Sequence, residues 1–156
     1  MGVSGAGKTT LGLALASRLG WSFEDADDYH DPESLAKMAR GEGLDDADRD
    51  PWLDRLSRLV EASLNGGPPT VLACSALKAA YRTRLHTDAP GALLVWLDAS
   101  PQTLAARLQA RRGHVAGPDL LPSQLATLEV PDRALRLDAS RPVPDLVRAV
   151  VEAAGL

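Results

Sequence analysis

Short apolar runs separated by longer amphipathic stretches set the pattern of this chain of 156 residues. The clearest runs are TVLAC at 70–74 and ALLVWL at 92–97, which are apolar almost throughout. Such runs are typical of strands that are buried on both faces of a parallel sheet. Two weaker segments, 21–26 and 134–137, complete the set of strands that we predict.

The stretches between these runs carry helix signals. Gly20 ends an Ala- and Leu-rich segment, while Pro32 and Pro101 stand where the first turn of a helix accepts proline. From Pro51 onward, apolar residues recur with helical spacing, beginning with Trp52. We predict helices over 9–19, 32–40, 51–65, 77–85, 101–112, 123–128 and 143–154.

Strands that alternate with helices are typical of an α/β protein, in which helices cover both faces of a parallel sheet. The sequence therefore predicts a three-layer sandwich of this class. Its length and its 45% hydrophobic content suit one domain over 1–156. Residues 113–122 contain two glycines and two prolines, and we predict that they break the regular structure.

The charge and the apolar runs exclude several classes of protein. A net charge of -4 argues against a general binder of nucleic acid or of membrane surfaces. The apolar runs are far shorter than a bilayer span, and Cys74 is the single cysteine, so no internal disulfide forms. We expect a cytoplasmic protein with no nucleic-acid and no membrane partner, which binds its anionic ligands through a local cluster of cations.

The first ten residues, MGVSGAGKTT, match the phosphate-binding pattern G-x-x-x-x-G-K-[ST] at every fixed position. In such a loop the glycines let backbone amides point at a phosphate at the start of a helix. Lys8 would reach the β- and γ-phosphate oxygens of ATP, and the Thr9 hydroxyl would bind Mg²⁺. The alternative, a glycine-rich turn before a helix, leaves Lys8 and Thr9 unexplained. The predicted nucleotide-binding residues are Gly2, Ser4, Gly5, Ala6, Gly7, Lys8, Thr9 and Thr10.

A loop of this kind normally follows a buried central strand, yet only Met1 precedes Gly2. A central strand needs about five residues, and its loss would leave both neighbouring strands without a hydrogen-bonding partner. We therefore expect that the first central strand is missing from the chain as given and that the true start lies upstream.

Lysine is rare in this chain, since arginine outnumbers it 14 to 3. The three lysines are Lys8 in the loop, Lys37 and Lys78. A compact ammonium suits contact with a single phosphate or carboxylate oxygen, which makes all three candidates for a site. Their positions could equally arise by chance when no motif is considered.

Several further blocks follow the loop in a fixed order. They are KMARG at 37–41, DDADRDPWL at 45–53, CSALK at 74–78, RRGH at 111–114 and SQLATLE at 123–129. With the loop, this series resembles the gluconate kinases, small P-loop kinases related to shikimate kinase and the nucleoside monophosphate kinases. The resemblance covers Gly2 to about Pro131. It implies transfer of the γ-phosphoryl group of ATP to D-gluconate, with Mg²⁺ as cofactor and a homodimer as the usual assembly.

Two residues after the predicted strand at 21–26 are candidates for acceptor chemistry. Asp27 would face the γ-phosphate and accept the proton of the acceptor hydroxyl, or orient that hydroxyl or a Mg²⁺-bound water. The alternative for an acid here is a surface position, which fits Asp25 and Asp28 better than Asp27. His30 would hydrogen-bond a sugar-acid hydroxyl, or else contact only the backbone of its loop.

Four cations are candidates to neutralise the gluconate carboxylate and to hold its hydroxyls, namely Lys37, Arg49, Lys78 and Arg82. The planar fork of arginine suits a carboxylate, so Arg49 is favoured, followed by Arg82. Arg49 could instead cap or pair within the acidic run 45–50. Arg82 could instead lie on a solvated helix face, a role that suits the nearby Arg84.

A second group of cations leads into residues 113–122, which resemble the lid that closes over ATP in these kinases. Arg107 and Arg111 lie four residues apart on one helix face, so one would pack on the adenine while the other meets the phosphates. We assign Arg107 to the nucleotide, Arg111 to catalysis and His114 to the substrate. Gln124 and Glu129 match the family pattern without a role that the sequence assigns.

Two other functions remain open at this point. One is a kinase of another small polyol or acid, such as shikimate, on the same fold. The other is a nucleotide-binding protein without catalysis, such as an N-terminally truncated remnant. Trp52 and Cys74 are predicted to be core residues.

Overall fold

A computed structural model of the chain describes residues 1–110 and 120–156. The helices are α1 (Lys8–Leu19), α2 (Pro32–Ala39), α3 (Asp46–Leu64), α4 (Ala79–Arg84), α5 (Pro101–Ala110), α6 (Leu121–Thr127) and α7 (Val143–Ala154). The strands are β1 (Ser22–Asp25), β2 (Thr70–Ala73), β3 (Val95–Asp98) and β4 (Leu135–Asp138). This alternation confirms the predicted α/β class. Within the described ranges, no helix is both long enough and apolar enough to cross a bilayer.

The strands form two parallel pairs. β1 pairs with β2 in the register Ser22 to Thr70, and β3 pairs with β4 in the register Val95 to Leu135. Parallel strands require crossover connections, which the intervening helices provide. The predicted parallel arrangement is therefore present in both pairs.

Met1 lies between β2 and β3 and contacts both through its backbone and that of Gly2. Its nitrogen donates to the Val95 carbonyl, and its own carbonyl accepts from the Leu97 amide at 3.0 Å. The Gly2 amide donates to the Ser75 carbonyl at 3.2 Å. The loop that follows thus starts where β2 and β3 end. A full strand ahead of this loop stays a prediction.

Two groups of buried apolar side chains make the core. The larger packs α1, α5, α6 and α7 against β3 and β4, and includes Leu104 and Leu146. The smaller lies under α3 and α4 and includes Trp52, Leu56 and Cys74. The prediction that Trp52 and Cys74 are core residues is confirmed.

The start of α3 differs from the expectation. The helix begins at Asp46 rather than at Pro51, which lies inside it. The Asp45 and Asp48 side chains each accept a hydrogen bond from the other's backbone amide, a reciprocal cap that starts the helix before the proline. The cap satisfies two donors at this end, which outweighs the single bond that Pro51 cannot donate.

Other boundaries move by a few residues. β3 begins at Val95 instead of residue 92, and α4 begins at Ala79 instead of residue 77. Leu121 and Pro122, which the sequence placed in the irregular lid segment, belong to α6 because proline fits the first turn of a helix. Residues 113–119 of that segment, which include His114, lie outside the described residues, and so do Arg111 and Arg112.

Candidate active site

The loop of residues 2–7 forms an open cradle at the start of α1. Gly7 has φ +96°, a conformation that favours glycine, and a Cβ on it would project into open space with no atom within 4 Å. Gly2 is needed for a different reason, because a Cβ there would lie 2.8 Å from the Leu97 carbonyl oxygen. Backbone amides at the start of a helix make such a cradle a fitting site for a phosphate.

Three side chains contact the backbone of the loop. Lys8 Nζ donates to the Val3 carbonyl at 3.2 Å, which places the ammonium over the loop. The Ser4 amide donates to Gln124 Oε1 at 2.7 Å, so α6 is tied to the loop. Arg107 is 3.5 Å from the carbonyl oxygens of both Gly5 and Ala6, and it donates to the Ala139 carbonyl at 2.7 Å.

These contacts show where Arg107 and Gln124 lie relative to the loop, which the sequence did not. Arg107 lies against the loop backbone and the end of β4, close to the predicted nucleotide, while its assignment to ATP stays a prediction. Gln124 had no assigned role, and it now positions the loop through the Ser4 amide. Thr10 is exposed on the first turn of α1.

Thr9 faces a carboxylate that the sequence analysis placed on the surface. Its hydroxyl donates to Asp25 Oδ2 at 2.9 Å, and Asp25 is the last residue of β1. The interpretation of Asp25 as a surface acid is wrong, because the end of a parallel strand directs it toward the loop. The signal that could have found it is its position at the carboxyl end of a strand, where ligands bind in such folds.

Asp27 follows in a short 3-10 turn at 26–29 and is exposed. Its amide donates to Asp25 Oδ1 at 3.2 Å, so one carboxylate holds both the Thr9 hydroxyl and the turn that presents Asp27. The proposed base role of Asp27 stays a prediction, and its exposure leaves the carboxylate accessible to an acceptor.

Thr9 and Asp25 also offer the oxygen ligands that Mg²⁺ prefers. The hydroxyl and the carboxylate lie within hydrogen-bond distance of each other, beside the cradle of the loop. Magnesium is bound in proteins through one or two carboxylates together with substrate phosphates. The residues present therefore fit a Mg²⁺ ion, which Thr9 and Asp25 would hold.

His30 and Trp52 form the apolar wall next to Asp27. Their rings are stacked with centroids 4.8 Å apart, and Trp52 Nε1 donates to the Ala26 carbonyl at 2.6 Å. Burial lowers the pKa of His30, which favours a neutral ring. Its Nδ1 is buried and has no hydrogen-bond partner among the described residues. A buried polar atom in this state is suited to a ligand hydroxyl.

Three predicted substrate cations meet the start of α3. Lys37 Nζ lies 2.6 Å from Asp48 Oδ1, and Lys78 Nζ lies 2.7 Å from Asp46 Oδ1. These hydrogen bonds raise the pKa of both lysines and lower the pKa of both acids. Arg49, on the same helix, completes the group. Among the described residues that the sequence assigned to the acceptor, the structure thus brings these cations together and leaves Arg82 apart from them.

The contacts of Arg49 fit both of its predicted roles, a substrate cation and a residue that pairs within the acidic run 45–50. Its Nη1 is 3.4 Å from the Asp45 carbonyl and 3.5 Å from the Tyr81 hydroxyl, and its guanidinium carbon is 5.9 Å from the centre of the Tyr81 ring. Tyr81 in turn donates to Asp46. Long contacts of this kind leave most of the guanidinium donors for a ligand.

Arg82 is buried, with 7% of its surface exposed, and so the alternative of a solvated helix face is wrong. Its Nη1 donates to the carbonyls of Ala76 and Leu77 at 3.1 and 3.0 Å. Ala76 has φ +45°, a conformation that L residues rarely adopt, so Arg82 fixes a strained turn. Arg84 takes the surface role, since it pairs with Asp50 and Asp54.

We expect Arg82→Met to lower the free energy of unfolding by about 3 kcal/mol, because it leaves two inner carbonyls without a donor. The matched control is Arg84→Met on the same helix, which removes exposed ion pairs and should cost less than about 1 kcal/mol. Urea unfolding followed by circular dichroism measures both. A stable Arg82 variant whose KM for the acceptor rises would instead place the guanidinium on the substrate.

Glu129, which the sequence left without a role, contacts the turn before α4. Its Oε2 accepts from the Ala79 amide at 2.6 Å, at the start of α4, and its own amide donates to the Leu77 carbonyl at 3.0 Å. The segment after α6 is therefore attached to the same 76–79 turn that Arg82 supports from beneath.

Comparisons with known proteins identify the family of this chain. A sequence model described as shikimate kinase matches residues 4–129. A gluconokinase of Gluconobacter oxydans is 50% identical over 84% of this chain and 74% of its own length. A probable gluconokinase of Mus musculus is 43% identical over 98% of this chain and 94% of its own length.

The fold is similar to solved kinases as well. The crystal structure of a gluconokinase from Sinorhizobium meliloti superposes with a TM-score of 0.85 at 40% identity, covering 99% of this chain and 89% of that one. The match covers almost the whole chain, so the described residues have the P-loop kinase fold. The chain belongs to the gluconokinase family of small P-loop kinases, within the wider group that includes shikimate kinase.

Proposed function

We propose that this chain transfers the γ-phosphoryl group of ATP to D-gluconate, giving 6-phosphogluconate. The observation that supports this most is the position of the phosphate cradle near a group of carboxylates, cations and the half-buried His30 ring, whose Nδ1 is buried without a partner among the described residues. The similarity to gluconokinases of 50% and 43% identity points to the same acceptor.

The loop residues would bind the nucleotide. Backbone amides of Gly5 and Gly7 would donate to the β-phosphate, and Lys8 would leave the Val3 carbonyl to reach the β- and γ-phosphate oxygens. Thr9 and Asp25 would hold Mg²⁺, which neutralises charge on the phosphates. Arg107 would steady the loop from the side of α5.

The acceptor would lie against the His30 and Trp52 wall. Gluconate carries one carboxylate and several hydroxyls, so it needs both a cation and hydrogen-bonding groups. Arg49, whose contacts to Asp45 and Tyr81 are long, would meet the carboxylate, and the buried His30 Nδ1 would meet a hydroxyl. Lys37 and Lys78 are held by Asp48 and Asp46, which fixes their ammonium groups before substrate binds.

The transfer then needs one proton acceptor. The gluconate hydroxyl oxygen would form the new bond to the γ-phosphorus while the bond from that phosphorus to the β–γ bridging oxygen breaks, which leaves ADP. The hydroxyl proton would pass to the Asp27 carboxylate. Arg111, just before the predicted lid segment of this single kinase domain, and His114, within that segment, would add charge to the transferring group and exclude water.

A substrate panel tests this proposal. The purified chain would be given ATP, Mg²⁺ and one acceptor at a time, namely D-gluconate, shikimate or glucose, and ADP release would be followed by a coupled assay. We expect turnover of gluconate with 6-phosphogluconate identified by mass spectrometry. Turnover of shikimate without gluconate would favour the other acceptor, and ATP binding without turnover of any acceptor would favour a non-catalytic protein.

A further inference from the structure

Tyr81, on α4, lies beneath two of the cations that we assign to the acceptor. Lys78 Nζ is 5.4 Å from the centre of the Tyr81 ring, and the guanidinium carbon of Arg49 is 5.9 Å from the same centre. At both distances the face of an aromatic ring attracts a cation. One ring therefore interacts with cations from two separate segments, the turn before α4 and the first turn of α3.

The hydroxyl of Tyr81 connects the same two cations to an acid. It donates to Asp46 Oδ1, and the two oxygens of that carboxylate also accept from Lys78 Nζ at 2.7 and 2.8 Å. Arg49 Nη1 donates to the hydroxyl oxygen over 3.5 Å. Burial and the hydrogen bond to Asp46 raise the pKa of Tyr81, so the hydroxyl stays protonated at neutral pH and keeps its donor.

The ring of Tyr81 is anchored in the core. It is half-buried and packs against the smaller group of buried side chains, which includes Trp52 and Leu56. Its backbone amide donates to the Lys78 carbonyl at 3.1 Å, at the start of α4. Tyrosine has only two side-chain torsions, so a ring fixed in this way presents its hydroxyl at a nearly constant place. The long, flexible side chains of Lys78 and Arg49 are therefore held against a rigid support.

These four side chains, Tyr81, Asp46, Lys78 and Arg49, form a cluster with one net positive charge. An ammonium has three donors, and the described contacts of Lys78 with Asp46 use two of them. The guanidinium of Arg49 has five donors, and its contacts with the Asp45 carbonyl and the Tyr81 hydroxyl both involve Nη1. One net charge and several remaining donors suit a ligand with a single carboxylate and a hydroxyl beside it.

We propose that Tyr81 is a positioning residue for the acceptor, which holds Arg49 toward the acceptor carboxylate and Lys78 toward the hydroxyl next to that carboxylate. The inference rests on the proposed function, because gluconate carries this pair of groups at one end. Tyr81 acts through the two cations and takes no part in the transfer of the phosphoryl group. Its loss should therefore weaken binding of the acceptor and leave both the chemical step and ATP binding largely intact.

Tyr81→Phe tests the role of the hydroxyl, since it keeps the ring and its packing. We expect the KM for gluconate to rise about tenfold, because a hydrogen bond to a charged group is lost, while kcat changes less than about threefold and the KM for ATP less than about twofold. The matched control is Tyr29→Phe, because the Tyr29 hydroxyl also donates to a carboxylate, that of Glu24, at 2.7 Å. The control should leave all three parameters unchanged. An unchanged KM for gluconate in Tyr81→Phe, or an equal rise in both KM values, would overturn the proposal.

A double-mutant cycle tests whether the hydroxyl acts through Asp46. In a chain that carries Asp46→Ala, the further change Tyr81→Phe should raise the KM for gluconate by less than about threefold, because the main contact of the hydroxyl is already gone. A merely structural role of Tyr81 in the core under α4 would act equally in both backgrounds. A full tenfold rise in the Asp46→Ala chain would therefore contradict the proposal.

Binding measurements separate a failure of this inference from a failure of the proposed function. Gluconate would be titrated calorimetrically into the wild-type chain and into Tyr81→Phe, each with a non-hydrolysable ATP analogue, and we expect the Kd to rise about tenfold in the variant. If the wild-type chain binds and phosphorylates gluconate and the variant has the same Kd, only the role of Tyr81 is wrong. If the wild-type chain neither binds nor phosphorylates gluconate, the proposed function is wrong, and the role of Tyr81 is wrong with it.

Discussion

Lys8→Met should lower kcat for gluconate by about a thousandfold, with little change in the Tm. The ammonium lies over the phosphate loop, with Nζ 3.2 Å from the Val3 carbonyl, so it can follow the charge that develops on the γ-phosphoryl group. Methionine keeps the length and the apolar stem of lysine and removes only the charge. The loss therefore measures electrostatic stabilisation of the transition state rather than packing.

The matched control for this variant is Arg148→Met, which removes a cation from α7 that pairs with Asp145. It changes the net charge by the same amount and should leave kcat unchanged. Steady-state kinetics with ATP and gluconate, together with thermal unfolding of each variant, separates the two effects. A Lys8 variant that retains more than about a tenth of the wild-type kcat would contradict the direct role, since a group at the transferring phosphate contributes far more than this.

The fold and the nucleotide loop could be predicted well because their signals are local. The bounds of α7 and the C-terminal end of α1 agree with the prediction. Pro142 and Pro144 mark the start of α7, and Gly20 marks the end of α1. The loop is recognisable because its glycines and Lys8 have fixed spacing. The start of α3 was missed because proline is the stronger sequence signal, although the reciprocal cap of Asp45 and Asp48 decides the boundary.

The site residues were harder to predict because their roles depend on side-chain direction. Arg82 follows a helical pattern like that of Arg84, yet only Arg82 turns inward to the strained Ala76 turn, and spacing along a six-residue helix does not distinguish them. Gln124 and Glu129 act on segments far along the chain, at Ser4 and Ala79. Contacts of that range have no local sequence signature.

Asp25 and Asp27 show the same difficulty at the edge of the phosphate loop, because the sequence does not tell which way their side chains point. Both are acids near the end of β1, and the sequence favoured Asp27 as the one facing the phosphates. The structure places Asp25 on the Thr9 hydroxyl and leaves Asp27 exposed, two residues further along a tight turn. We therefore propose different roles for the two acids, in which Asp25 holds the metal beside the loop and Asp27 acts on the acceptor.

This division predicts different kinetics for two isosteric variants. Asp27→Asn should lower kcat between about a hundredfold and ten-thousandfold, because the amide cannot accept the acceptor proton. Its dependence on Mg²⁺ concentration should not change. Asp25→Asn should instead raise the Mg²⁺ concentration for half-maximal rate by roughly 10- to 100-fold, with part of kcat recovered at saturating Mg²⁺.

Titration of the rate with Mg²⁺ for both variants separates the roles, and Asp28→Asn, an exposed acid in the same turn, is the control that should leave both parameters unchanged. If Asp27→Asn changes the Mg²⁺ requirement and Asp25→Asn does not, the two assignments must be exchanged. The shared hydrogen bonds make a small cross-effect unavoidable, since Asp25 Oδ1 accepts from the Asp27 amide and fixes the turn. The variant with the larger effect in each titration is therefore the one that carries the role. The turn stays intact if the side-chain amide oxygen of Asp25→Asn still accepts the hydrogen bond from the Asp27 amide.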